Sequence, residues 1–286
     1  MKVTYLHHSG FAVETETKVL LFDYYTQGGR FCYFDPAEYA GKDILVFVSH
    51  FHEDHFDRRI LDWAGQSGVR YIFSRDVRPG AEFKGEKLVV EPHAAYDFAG
   101  VHIETLRSND EGVAFFVEVD GRHIYHAGDL NWWHWNGESD AFNRDIARSY
   151  TEEVDKLKGR RIDVAFIPVD LRLEDKYYWA ADYFMEEIGA EIMFPMHFWG
   201  KFGVCRMLEE KGYGTKLWIS VQKIRNSCCR RTPTIDGKNG ENLPAFGQYH
   251  KKAFPCGFCI AYAKSEGYNG VHRKTSRILK RDAFVI

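Results

Sequence analysis

The sequence predicts a layered protein of helices and sheets, an α/β (α+β) fold. Short strand patterns fill the chain up to about residue 126, and helical and strand patterns alternate beyond it. This order is typical of sheets that are covered by helices. The 286 residues, of which 45% are hydrophobic, suffice for one large core with or without an appendage.

The first half is predicted to consist of short strands. The opening strands form a β-meander, Ile44–Ser49 is a continuous apolar run typical of a buried strand, and Asp120-Gly121 is a hairpin turn. The predicted strands are Val3–Leu6, Phe11–Glu14, Lys18–Asp23, Ile44–Ser49, Tyr71–Ser74, Lys87–Glu91, His102–Leu106, Ala114–Val119 and His123–His126.

The second half is predicted to alternate helices and strands. Gly212 is a typical stop signal for the last of the helices. The predicted helices are Asp140–Leu157, Asp175–Ile188 and Val204–Lys211, and the predicted strands are Asp163–Pro168 and Glu191–Pro195.

The composition indicates a soluble protein of a reducing compartment. No stretch approaches the roughly 18 uninterrupted apolar residues of a membrane span. The opening Met1–Leu6 goes straight into a strand pattern and lacks the apolar segment of a signal peptide. The six cysteines are few for this length, which does not fit a disulfide framework. We therefore expect a cytoplasmic protein without a membrane partner.

Charge divides the chain near residue 219. From Ser220 to the end, 13 Lys or Arg stand against 4 Asp or Glu, although the whole chain carries a net charge of −3. We predict a folded domain over residues 1–218 and a basic, loosely structured extension over 219–286. The alternatives for this extension are an unusual C-terminus, such as a frameshifted one, or a nucleic-acid contact around a four-cysteine zinc site made by Cys228, Cys229, Cys256 and Cys259.

A concentration of metal ligands follows the apolar run Ile44–Ser49. Three histidines and an aspartate fall within six positions, in the segment His50-Phe51-His52-Glu53-Asp54-His55. A loop after a strand is where an α/β sheet presents its ligands, and imidazole with carboxylate suits zinc and similar ions. The segment therefore predicts a metal site rather than a solvated, histidine-rich loop.

The segment matches the HxHxDH motif, and the chain resembles the metallo-β-lactamase superfamily over about residues 1–218. Residues His126–Asp129 resemble the family's later Gly-Asp motif, and Phe194–His197 resemble its final histidine motif. Leu6–Phe11 and Leu20–Asp23 resemble the first strands of the subgroup that includes ascorbate-lactonase-like enzymes.

This resemblance implies a four-layer αββα sandwich with one or two Zn²⁺ ions at one edge, or another divalent metal such as Mn²⁺. By resemblance, His50 and His52 hold one metal, the other is held by Asp54, His55 and His197, and Asp129 lies between the two. Asp54 is also the residue expected to orient the attacking water. The residues expected to aim the ligands are His8, Asp23 and His126.

One departure from the family pattern concerns the first metal. The family usually supplies a further histidine between the first cluster and the Gly-Asp motif, whereas this chain reads Leu106–Val113 there without one. Asp110 is the candidate substitute, and Asn109 is a weaker one. The alternative is a single-metal site, which is chemically sufficient because catalytic zinc commonly has three protein ligands.

Tryptophans cluster after Asp129 and suggest a substrate pocket. Large apolar side chains beside a metal centre are suited to line a pocket or a lid, although they can equally pin a loop to the core. The candidate pocket residues are Trp132, Trp133, Trp135 and Trp199.

The metal is the best supported catalyst in this sequence. We see neither a Gly-rich phosphate loop nor a GxSxG nucleophile motif. The first hypothesis is a hydrolase that uses zinc-activated water on a small-molecule ester, lactone, amide or phosphodiester. The alternatives are a non-catalytic, single-metal sensor on the same fold and a nuclease whose basic tail binds nucleic acid. Because flavodiiron relatives place a glutamate where this chain has His52, diiron redox chemistry is disfavoured.

Overall fold

Two mixed β-sheets packed face to face organise the protein, as the computed structural model shows for residues 1–31, 34–220 and 258–263. The first sheet has six strands in sequence order. Its strands β1 to β3 are antiparallel and β3 to β6 are parallel. The strands are β1 (Lys2–His7), β2 (Gly10–Glu14), β3 (Lys18–Phe22), β4 (Asp43–Val48), β5 (Val69–Ser74) and β6 (Lys87–Val90).

The second sheet has eight strands in the order β13-β14-β12-β11-β10-β9-β8-β7. The pairs from β7 to β10 are antiparallel, whereas β10, β11 and β12 run parallel to one another. The strands are β7 (Ala95–Phe98), β8 (Val101–Arg107), β9 (Val113–Val119), β10 (Arg122–His126), β11 (Val164–Pro168), β12 (Ile192–Met196), β13 (Gly214–Ser220) and β14 (Phe258–Ala263).

Aromatic side chains fill the space between the two sheets. The rings of Phe11 and Phe166 lie 4.2 Å apart, and those of Phe47 and Phe115 lie 5.2 Å apart, each pair joining the two sheets. All four are fully buried, and burial of side chains of this size is a major source of stability.

Helical segments cover the outer faces and complete the predicted four-layer αββα arrangement. Helices α1 (Asp140–Val154), α2 (Trp179–Glu187) and α3 (Gly203–Glu210) lie on the second sheet, where Tyr150, Phe184 and Leu208 join its core. The outer face of the first sheet is covered by two short 3-10 helices, Pro36–Tyr39 and Arg58–Trp63. The fold class predicted from the sequence is confirmed.

The structure departs from the predicted elements in several places, since strands β7, β13 and β14 were not predicted. Strand β7 was missed because Ala95–Phe98 is only four residues long, too short for its alternation of exposed and half-buried side chains to stand out. The helix predicted over Asp175–Ile188 begins only at Trp179, because Leu171–Lys176 forms a 3-10 helix that the Asp170 side chain caps.

The C-terminal extension stays a prediction. The proposed boundary after residue 218 falls inside β13, which pairs with β14 in the second sheet. Cys228, Cys229 and Cys256 of the proposed zinc site lie outside the described residues. Among the helices that the structure describes, none has the length and apolar character needed to cross a bilayer.

Loops that follow β1, β3, β4, β10, β11 and β12 meet at one edge of the sandwich. His8 follows β1, Asp23 follows β3, and the segment from Ser49 onward follows β4. Asp129 follows β10 and His197 follows β12. Parallel strands place their carboxyl ends at the same edge, so residues distant in sequence converge there.

Candidate metal centre

The loop after β4 is held by the segment that leads into β9, which packs against it. The backbone N–H of Val113 donates to the Ser49 carbonyl at 3.0 Å. Gly112 makes this approach feasible, since a Cβ built there would lie 2.0 Å from the Ser49 carbonyl oxygen. Its φ of +70° is also one that favours glycine. This contact brings Asp110, which is two residues before Gly112, close to the loop that bears His50 and His52.

A first group of ligand atoms comes from His52, Asp110 and Asp129, all within 4.8 Å of one another. His50 adjoins this group, with its Nε2 3.0 Å from His52 Nδ1 and 3.7 Å from Asp129 Oδ2. The structure thus brings Asp110, the candidate substitute for the family's additional histidine, beside His52 and Asp129.

A second group comprises His8, Asp54, His55 and His197, whose ligand atoms also lie within 4.8 Å of one another. Asp129 Oδ1 lies 3.1 Å from His55 Nε2 and 3.4 Å from His197 Nε2. Because the other oxygen of Asp129 faces His50, this one carboxylate lies between the two groups.

Unpartnered buried atoms test whether these groups suit a metal. His55 Nε2 and Asp129 Oδ1 are buried, face each other, and make no hydrogen bond of acceptable geometry in the structure. Buried polar atoms are nearly always satisfied, and an imidazole nitrogen and a carboxylate oxygen are both ligands of divalent zinc. The residues present therefore fit a divalent cation between them.

Electrostatics in the metal-free protein agree with this interpretation. Burial lowers the pKa of His50 to about 4 and that of His8 to about 3, so both imidazoles are neutral at pH 7. Burial opposes protonation of His197 as well, but the charge of Asp129 raises its pKa to about 9. In the absence of a metal, a proton on His197 compensates the buried carboxylate of Asp129.

Asp23 supports the second group through the Nδ1 side of the His55 ring. This fully buried carboxylate accepts hydrogen bonds from His55 Nδ1 at 2.7 Å, from Ser49 Oγ at 2.7 Å and from the Ser49 backbone N–H at 2.8 Å. A carboxylate on Nδ1 keeps the proton there and leaves Nε2 free for a metal. The role predicted for Asp23, to aim the ligands, stays a prediction.

His126 lies outside both ligand groups, whereas His8 lies within the second one. His126 Nε2 donates to the Ser9 carbonyl at 3.0 Å and its Nδ1 accepts from the Gly128 backbone N–H. It therefore joins two loops without entering either ligand group. His8 lies closer than predicted, since its Nε2 is 3.1 Å from Asp54 Oδ2 within the second group.

Two supporting residues were missed by sequence reasoning. Asp170 Oδ2 accepts from His197 Nδ1 at 2.9 Å, and Ser49 Oγ lies 2.9 Å from His50 Nδ1. Both are polar residues that come within two positions of the end of a buried strand, which is the signal that pointed to the histidines.

Backbone strain also concentrates at the centre. His8, Asp23, His197 and Trp199 all have φ between 41° and 60°, where non-glycine residues are uncommon. Each such residue costs on the order of 1–3 kcal/mol, and positions of this kind cluster at functional sites. The His197 backbone N–H donates to the His8 carbonyl at 3.3 Å, so two of the strained turns support each other.

The predicted pocket tryptophans separate into two sets. Trp133 donates from Nε1 to the Asp129 carbonyl at 3.0 Å, and its ring lies 5.5 Å from that of His197. Trp135 stacks on Trp133 at 6.0 Å, and the Trp199 ring lies 4.1 Å from the His8 ring. These three indoles adjoin the metal centre.

Trp132 points away from the other three. Its ring packs 5.6 Å from that of Trp179 and 5.9 Å from that of Tyr183, both in α2. The structure therefore places it in the layer of helices rather than beside the ligand groups.

The match to a known protein family covers the whole candidate metal centre. A family model described as the beta-lactamase superfamily domain matches residues 2–197. The match includes every residue of both ligand groups, from His8 in the first loop to His197 in the last.

Curated relatives and a solved structure match the same part of the fold. A UPF0173 metal-dependent hydrolase of Pyrococcus abyssi is 29% identical over 145 residues, which are 45% of this chain and 61% of that protein. The match thus spans about three fifths of this relative's length. A UPF0173 metal-dependent hydrolase of Symbiobacterium thermophilum is 28% identical over 216 residues, 71% of this chain and 86% of that protein. Igni18, a metallo hydrolase of Ignicoccus hospitalis, is similar over 74% of this chain and 91% of its own, with 18% identity and a TM-score of 0.49.

Proposed function

The chain belongs to the metallo-β-lactamase superfamily, and from that membership we propose a metal-dependent hydrolase of a small-molecule ester, lactone, amide or phosphodiester. The observation that carries the proposal is Asp129, whose two carboxylate oxygens face two separate groups of ligand atoms. The relatives from P. abyssi and S. thermophilum are themselves described as metal-dependent hydrolases, which supports the same class of reaction.

The proposed centre holds two divalent metals, with Asp129 shared between them. When bound, such metals supply Lewis-acid polarisation of the scissile group and activation of water near neutral pH. The first metal is assigned to His50, His52 and Asp110, and the second to Asp54, His55 and His197.

Zinc is the metal that the donor set favours. Histidine nitrogens and aspartate oxygens together are typical zinc ligands, and the neutral state of His50 at pH 7 leaves its nitrogen ready to bind. Asp110 in place of an imidazole adds oxygen to the first group, which makes Mn²⁺ the second choice.

Asp54 is the residue proposed to orient the attacking water. Burial alone raises its pKa, but the hydrogen bond from His8 and the charge of His55 hold that pKa well below its usual value. Its carboxylate is therefore ionised at neutral pH and accepts hydrogen bonds. His8 Nε2, 3.1 Å from Oδ2, fixes the orientation of this carboxylate.

The test of this function compares wild type with Asp54→Ala and with Glu53→Gln, an exposed neighbour in the same loop. Each protein is assayed on a neutral ester, a lactone and bis(p-nitrophenyl) phosphate, before and after chelation and after zinc is restored. We expect chelation to abolish turnover and zinc to restore it. Asp54→Ala should lower turnover by about 100-fold or more, and Glu53→Gln should retain it.

The alternatives give different results in the same experiment. Bound metal without turnover of any substrate favours a sensor on this fold. Turnover of the phosphodiester alone, together with salt-sensitive nucleic-acid binding, favours a nuclease. Turnover that survives complete removal of metal contradicts the proposal.

A further inference from the structure

Arg172 lies beside the candidate metal centre. One edge of its guanidinium, the committed edge, is hydrogen-bonded to Asp170, and the other, the free edge, is not. Arg172 Nε and Nη2 donate to Asp170 Oδ2 at 2.8 and 2.6 Å. Its Nη1 has no hydrogen-bond partner among the residues that the structure describes. The side chain is 46% exposed, so solvent reaches it.

Three indoles surround the guanidinium. Its Cζ lies 5.9 Å from the ring centre of Trp133, 5.8 Å from that of Trp135 and 5.7 Å from that of Trp199. Contacts of this length with aromatic faces favour a cation and limit its rotamers. The guanidinium is therefore held in place before any ligand arrives, which reduces the entropy lost on binding.

The same arginine is connected to the metal ligands. Asp170, its ion-pair partner, also accepts from His197 Nδ1 at 2.9 Å. The rings of Trp133 and Trp199 lie 5.5 and 5.9 Å from the His197 ring. A group bound to the free edge of Arg172 would therefore lie beside the site where the scissile bond is cleaved.

A purely structural role accounts for only part of this arrangement. The committed edge of Arg172 is sufficient to orient Asp170, which also receives the Arg172 backbone N–H at 2.8 Å. A positioned guanidinium with unused donors is the group that proteins use for planar, two-point recognition of carboxylates and phosphates.

We infer that Arg172, with the indoles of Trp133, Trp135 and Trp199, forms a substrate subsite for an anionic group, a carboxylate or a phosphate. This inference rests on the proposed function and names its substrate class. The substrate is an anionic ester, lactone or amide whose charged group binds the free edge of Arg172 and whose uncharged part contacts the indoles. Arg172 is a specificity residue, since it acts on the part of the substrate that does not react.

The experiment compares mono-p-nitrophenyl glutarate with its methyl ester, which share the p-nitrophenyl leaving group and differ in whether the distal carboxylate is free or capped by a methyl group, and p-nitrophenol release is measured for both. Metal-loaded wild type, Arg172→Gln, Arg172→Lys and the control Arg206→Gln are assayed, and metal content is measured for each. Arg206 is 83% exposed on α3, so its removal changes the net charge equally without touching the centre.

We expect Arg172→Gln to lower kcat/KM for the anionic ester by about 10- to 100-fold, the effect of losing a charge-assisted hydrogen bond. Because Arg172 also holds Asp170, the neutral ester reports any loss that passes through Asp170 to His197; the anionic ester should lose at least about tenfold more than the neutral ester, and the measured metal content corrects both values. Arg172→Lys should recover part of the loss, because it restores the charge without the planar fork. Equal loss on both esters, or no loss on either, overturns the inference.

Direct binding separates this inference from the proposed function. Glutarate and inorganic phosphate are titrated into metal-loaded wild type and Arg172→Gln by calorimetry, and the tighter probe identifies the anion class. If wild type turns over none of the ester, lactone and phosphodiester probes, the hydrolase proposal fails, while an affinity at least tenfold weaker in the variant still supports the subsite. Equal affinities of the two proteins for both anions overturn it.

Discussion

Asp23→Asn is the substitution that most sharply tests how the centre is held. The change keeps the size of the side chain but replaces one acceptor by a donor. In wild type, one oxygen of Asp23 accepts from His55 Nδ1 and Ser49 Oγ, and the other accepts from the Ser49 backbone N–H. The asparagine amide has a single oxygen, so it can accept the hydrogen bonds of only one of these two carboxylate oxygens.

Both orientations of the new amide are unfavourable. If its oxygen faces the Ser49 N–H, its NH₂ faces His55 Nδ1 and forces the proton to Nε2, which is the atom needed for the metal. If the amide is reversed, two donors meet at Ser49 and one stays buried and unsatisfied, at a cost of about 1–3 kcal/mol. Loss of such a supporting partner typically weakens metal affinity by about 10- to 100-fold, equivalent to about 1.4–2.7 kcal/mol.

The assay is the zinc affinity of each protein, measured by competition with a chromophoric chelator, together with the melting temperature of the metal-loaded form. A loss of about 1–3 kcal/mol corresponds to a decrease of about 2–12 °C for a chain of this size. The matched control is Asp163→Asn, because Asp163 is 1% exposed and accepts from His123 and Arg161 at the opposite end of β11. The control should melt earlier with unchanged zinc affinity. Wild-type zinc affinity in Asp23→Asn would refute the reasoning.

Three further predictions address other parts of the centre. Asp110→Ala should lower the metal content from two ions per chain to one and Asp110→His should restore the second, whereas two ions in the alanine variant would exclude Asp110 as a ligand. In metal-free protein the pKa of His197 is raised to about 9, chiefly by Asp129 acting against burial. The stabilisation it gives is therefore complete below about pH 6.5 and declines as pH rises through about 9, so urea denaturation should show decreasing stability across this interval, with a smaller decline in His197→Gln, where only His55, whose pKa Asp129 and Asp23 also raise against the effect of burial, still contributes. Gly112→Ala should lower the free energy of unfolding by about 3 kcal/mol or more, because its Cβ would lie 2.0 Å from the Ser49 carbonyl oxygen; normal melting would show that the loop adapts.

The local pattern of the sequence was sufficient for most of the strands and for the ligand loop. The run that begins at Ile44 is apolar up to Val48 and the structure forms β4 there, with proposed metal ligands in the loop that follows. Such features depend on residues adjacent in the chain. Strand β7 has only four residues at the edge of its sheet, where it pairs with β8 alone, and a segment this short gave too little pattern to be predicted.

Contacts between distant loops explain what the sequence did not show. Asp170 acts on His197 across 27 positions, and its role depends on β11 and β12 being parallel neighbours. The adjacent residues Trp132 and Trp133 have opposite surroundings because their loop follows no period from which a side could be assigned. The placement of Asp110 depends in turn on the close approach of Gly112 to the β4 loop.

The central claim is that two groups of ligands share Asp129 and hold two divalent metals. The most direct measurement is the metal content per chain of zinc-supplemented wild type and of Asp129→Ala, determined by plasma mass spectrometry after exhaustive dialysis. We expect two zinc ions per wild-type chain and one or none in the variant, because the shared carboxylate contributes to both sites. Wild-type protein that retains no metal after zinc is supplied, or an Asp129→Ala variant that retains two ions, would contradict it.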